Sequence, residues 1–106
     1  MKGGMAMIRM VPYALGDSTV IGVEVKLPLT TLLAVSTDKG YIMCGALDVA
    51  LLNDKLKDRG IIAGRAVGVR TLEQLLEAPL ESVTHAAEEI GIHAGMKGID
   101  ALKRML

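Results

Sequence analysis

The chain has 106 residues, 51% of them hydrophobic and 23% charged, so it can bury enough apolar surface to offset the entropy of ordering; one domain over 1–106 is expected, with residues 1–4 disordered or cloning-derived. Twelve basic side chains balance twelve acidic ones and no basic block occurs, which excludes the field a phosphate-backbone binder needs. Tyr13 and Tyr41 are the only aromatics, which excludes base-stacking surfaces and polyproline grooves, so no nucleic-acid partner is expected.

Residues from about Met5 to Tyr13 read as a first strand, closed by turn residues at Gly16 and Asp17. TVIGVEVKL alternates: Ile21, Val23, Val25 and Leu27 fall on one face and Gly22, Glu24 and Lys26 on the other, the pattern of an antiparallel strand with one wet face. Pro28 ends it, TLLAVST forms a third strand, and Asp38, Lys39 and Gly40 turn the chain into a fourth, YIMC.

After Cys44 the pattern becomes helical, from about Ala46 to Arg59, with Gly60 placed for a left-handed cap. The first half of this helix is apolar all round, which calls for cover from another subunit or from the C-terminal helices. IIAGRAVGV makes a fifth strand, parallel to the fourth because of the intervening crossover, and its flat row Ile62, Gly64, Ala66, Gly68 suits a close neighbour. Thr71 and Gln74 form a capping box for a helix ending near Ala78; Pro79 opens a further helix with a stripe at Leu80, Val83, Ala86, Ala87 and Ile90, capped by Gly91. A last helix spans about Ile99 to Leu106.

The expected architecture is α+β: a mostly antiparallel sheet of about five strands with one parallel βαβ pair, and helices packed on one face. One cysteine allows no intramolecular disulfide and no signal-peptide pattern opens the chain, so a cytoplasmic location is expected. No apolar run reaches the roughly 18 residues of a membrane span, so no membrane partner is expected. Open sheet edges and the apolar start of the first helix favour a homo-oligomer.

The chemistry concentrates at two strand-to-helix junctions. Cys44 at a helix start is placed for a lowered thiol pKa and nucleophilic catalysis, or for plain burial as a small hydrophobe. Arg65 falls on an apolar strand face and needs a carboxylate such as Asp48 or Glu24, carbonyls, or a bound anion. Arg70 and Thr71 end the fifth strand, so Cys44, Gly45, Arg70 and Thr71 are expected to line one edge, where helix N-termini would offer N–H groups to an anion or serve simply as capped ends. His85 and His93 are isolated, three converging metal ligands are lacking, and AGMKGID matches neither the Walker nor the dinucleotide pattern; no metal or cofactor is expected.

GYIMCGALDVALLN and RGIIAGRAVGVRTLEQLLEAPLESVT resemble the YunC-like family, a small bacterial and archaeal domain of unknown function, over most of the chain from Val20 through GMKGIDAL. The resemblance implies an α+β domain and brings no activity, substrate or catalytic residue with it. The leading expectation is therefore non-catalytic binding of a small anionic metabolite by Gly45, Asp48, Arg65, Arg70 and Thr71 in a homo-oligomer. The alternatives are a Cys44-dependent enzyme and a structural or protein-interaction subunit.

Overall fold

Alternating runs separated by tight turns fold the first half into a meander. In the computed structural model, which describes residues 7–106, it comprises β1 (Ile8–Leu15), β2 (Ser18–Leu27), β3 (Thr30–Ser36) and β4 (Gly40–Met43). These pair antiparallel in succession, the first turn using Gly16 at φ 63°. The opening tetrapeptide and the expected strand start at Met5 lie outside the described residues. α1 (Val49–Asp54) then leads to β5 (Ile62–Arg65), parallel to β4, and β6 (Ser82–Val83) pairs antiparallel with β5. The sheet order is β1-β2-β3-β4-β5-β6, and α2 (Leu72–Glu77), α3 (His85–Glu89) and α4 (Gly98–Arg104) complete an α+β fold.

Two apolar clusters lie on opposite faces of this sheet. On one face α2 and α4 bury Leu72, Leu75, Ala101 and Leu102 against Leu33, Val35 and Ile42, all with no exposed surface. On the other, α1 seats Leu47 and Leu52 on Ala63, with Tyr41 and Met43 at the border. Packing on one face therefore describes α2 and α4, while α1 lies over the opposite side of β4 and β5. Of its apolar start only Leu47, Leu52 and part of Val49 are covered on this side, while Ala46, Ala50 and Leu51 stay exposed.

Three elements differ from their sequence pattern. The helix expected over 46–59 stops at Asp54; after it only a 3₁₀ turn, Lys57–Arg59, forms before Gly60 at φ 59°. That second half is mostly charged and has only Leu56 to bury, so nothing holds a continuous helix onto the sheet. β5 ends at Arg65, and Gly68 at φ 75° turns the chain away.

The helix expected from Pro79 forms only in its last part, as α3 from His85. Residues 81–84 run extended instead, Glu81 N–H donating to Arg65 O at 2.7 Å and Thr84 N–H to Ala63 O at 2.9 Å, which gives the sheet its sixth strand. Pairing the free edge of β5 outweighs local helix propensity. Thr84 then caps α3, its hydroxyl accepting from Ala87 N–H.

β2 also reverses its expected faces. Val20 and Gly22 are buried with Glu24 on the helix side, while Ile21, Val23 and Val25 are only half-buried and belong to neither cluster. The register explains it: Gly22 pairs with Val35 and Glu24 with Leu33, the β3 residues on which the helices sit. Gly22 leaves the space that Leu72 and Tyr13 occupy, and Glu24 is paired with Arg9 at 2.9 Å.

Candidate functional site

The C-terminal ends of the parallel pair open into a cleft of about 660 Å³, lined among others by Gly45, Asp48, Asn53, Arg65, Glu81 and Ser82. Its position follows from topology. β4 and β5 run the same way, the chain leaves β4 through Gly45 toward α1, and β6 brings Glu81 and Ser82 back beside Arg65.

Arg65 sits at the centre. Its Nε donates to Gly45 O at 3.3 Å and its Nη1 to Glu81 Oε1 at 3.2 Å, while Nη2 has no partner among the described residues. Ser82 Oγ donates to the same Glu81 oxygen at 2.7 Å, so the carboxylate is held from two sides. Both ends of the ion pair keep solvent contact, with side chains 32% and 46% exposed, so the pair orients the guanidinium and adds little stability. Asp48 caps α1, Oδ1 accepting from Leu51 N–H at 3.0 Å, and Asn53 Oδ1 accepts from His85 N–H at 2.9 Å.

The sequence-derived candidates divide. Gly45, Asp48 and Arg65 share the cleft. Arg70 lines a separate hollow of about 520 Å³ with Lys26, Thr30, Thr31 and Val69, because β5 stops at Arg65 and the chain turns toward the β2–β3 hairpin before reaching Arg70. Thr71 is engaged in capping α2, accepting from Gln74 N–H at 3.0 Å, while Gln74 Oε1 accepts from Arg70 N–H at 2.7 Å. The expected four-residue edge of Cys44, Gly45, Arg70 and Thr71 thus does not form one site.

Cys44 is 7% exposed, its Sγ accepts from Leu33 N–H at 3.5 Å, and it belongs to the helix-side core. His85 and His93 are both exposed, and no cluster of three metal-ligating side chains occurs among the described residues. Among the described residues no helix is long and apolar enough to cross a membrane.

Glu81 and Ser82 were hidden from the sequence by the helix expected over their segment. Thr84, a capping residue directly after Val83, is the signal that places the helix start later and leaves 81–83 free to pair.

The model of a family described as a domain of unknown function, DUF1805, matches residues 43–105 and spans the whole cleft. The chain belongs to this family. It is similar to the uncharacterized protein YunC of Bacillus subtilis (strain 168), 61% identical over 100 residues that cover 94% of this chain and 99% of YunC, which makes it YunC-like. It is also similar in fold to the crystal structure of a protein of unknown function, TA1206, from Thermoplasma acidophilum, with a TM-score of 0.84 and 27% identity over 94% of each chain. The DUF1805 match begins at Met43, where the chain leaves β4 for the cleft, and β1 to β3 precede it.

Proposed function

We propose that the protein is a non-catalytic binding module, part of a homo-oligomer, that holds a small metabolite through its acidic group at the Arg65 cleft. The observation that carries this reading is the guanidinium fixed on two sides by Gly45 O and Glu81, with Nη2 unspent. A planar, permanently charged fork already oriented by protein groups loses little freedom when it takes a carboxylate or phosphate oxygen. The cleft volume lies within the range of small-molecule sites.

The same walls narrow the ligand. Asp48 and Glu81 are acidic, so a polyanion meets repulsion there, whereas an acid carrying a neighbouring amine or hydroxyl supplies donors to both. The preferred class is a hydroxy acid, an amino acid or a singly phosphorylated compound with free hydroxyls. Burial of Cys44 away from the cleft wall gives the cysteine-dependent alternative no support from geometry.

Thermal-shift and calorimetric titration against panels of amino acids, hydroxy acids, sugar monophosphates and nucleoside triphosphates tests the reading. A ligand from the first three panels is expected to raise the melting temperature of the wild type and to lose that effect in Arg65→Ala. No response in any panel, or an equal response in Arg65→Ala, rejects it.

A further inference from the structure

The helix-free side of β1, β2 and β3 is an apolar sheet face that carries no covering element among the described residues. From β1 it presents Ile8 and Met10, 67% and 66% exposed, with Pro12 beside them. Ile21, Val23 and Val25 of β2 lie next to these in register, Met10 opposite Val23 and Ile8 opposite Val25. Ala34 of β3 continues the row opposite Val23, and Leu32, opposite Val25, also packs in part against the helix-side core. The face stops where α1 rises over β4 and β5. The alternating positions of this face on the three strands hold no charged residue at all; Arg9, Glu24 and Lys26 of the same strands fall on the helix side.

We infer that this face is the contact surface between two copies of the chain, packed sheet on sheet. A strand contributes one residue to a face per two residues of rise, so the thirteen positions of β1 to β3 on this face span roughly 400 Å² in projection and about 500 Å² with side-chain relief. Two copies then bury on the order of 1,000 Å², enough for a specific interface. An uncharged face is complementary to itself, since pairing it desolvates no charge. A lipid surface calls instead for cationic residues flanking the apolar ones, and Arg9 and Lys26 belong to the opposite side.

Joining through the sheet edge is obstructed. Lys26 N–H donates to Met7 O, so the odd residues of β1 bond β2 and the even ones turn their backbone groups outward. Pro12 is one of those even residues, and it puts a missing N–H in the middle of the only long free edge among the described strands. The apolar face is left as the route to pairing, and it does not depend on the cleft.

Sedimentation equilibrium at tens of micromolar protein decides. The wild type is expected at twice its 11.2 kDa chain mass. Met10→Lys places a charge at an exposed position, so it is expected to keep the wild-type circular dichroism spectrum and sediment as a monomer. Val23→Lys, opposite Met10, is expected to behave alike, and Arg65→Ala to leave the pair intact. A monomeric wild type, or pairing that survives Met10→Lys in folded protein, overturns the inference.

Discussion

Gly98, the first residue of α4, lies directly against Ile42 of β4: a Cβ there would come within 2.8 Å of Ile42 Cδ1 and meet the carbonyl of Leu75. Ile42 is fully buried and the Leu75 carbonyl belongs to α2, so neither neighbour yields without moving an element. Gly98→Ala is therefore expected to destabilise by about 1–3 kcal/mol, the usual cost of overpacking. A thermal melt should show a drop of roughly 5 °C or more; an unchanged melt would show that α4 can slide.

Thr84 concentrates three bonds on one buried hydroxyl. Oγ1 donates to Ile61 O at 2.7 Å and accepts from Ala63 N–H at 3.1 Å and from Ala87 N–H at 3.3 Å, with the residue 2% exposed. Thr84→Val keeps the shape and strands those backbone groups, so a loss of about 2–4 kcal/mol is expected, while Thr84→Ser should retain most of the stability. Urea unfolding of the two variants separates the hydroxyl from the methyl.

Cys44 should be protected. Buried in the helix-side core and bonded by Leu33 N–H, its thiol is expected to react with iodoacetamide at least about tenfold more slowly in the folded protein than in denaturant. Rapid labelling of the native state, timed by mass spectrometry, would contradict the packing described for the β4–α1 junction.

Tyr13 gives a pH signature. Burial first, and then its hydrogen bond to Glu73 Oε2 at 3.1 Å, raise its phenol above the ordinary value of about 10. The native state thus holds a proton that the unfolded chain releases, so this contribution is whole below about pH 10 and is lost as pH rises through the native pKa. In a Tyr41→Phe background, absorbance titration should place the Tyr13 midpoint above 10. Glu73→Gln should lower it only part of the way, since burial is the larger cause.

The meander was legible because alternation and turn residues are local signals, and Gly60 and Thr71 announced their caps through residue type alone. Which side of β2 the helices would choose was not. Alternation marks Ile21, Val23 and Val25 as a set but does not say what covers them, and the core side was decided by Leu33 and Val35 with room left by Gly22. The Pro79–Ile90 segment carries a helical stripe, yet its residues 81–84 pair with β5 before α3 begins, because their backbone groups complete a sheet edge that no local window contains. For the same reason Gly45, Asp48 and Arg65 could be named from the sequence, while Glu81, which fixes Arg65, could not.

Because the strand order follows the chain order, each strand of this sheet docks on the one made just before it. The β4–β5 step spans a long connection, as does β5–β6 after it, and loop closure there must precede its reward. A refolding chain can zip β1 to β4 from local hairpins and then wait for Leu47 and Leu52 to settle on Ala63. The cleft is assembled from both sides of that connection, so weakening the Leu47, Leu52 and Ala63 contacts should delay its appearance more than that of the meander.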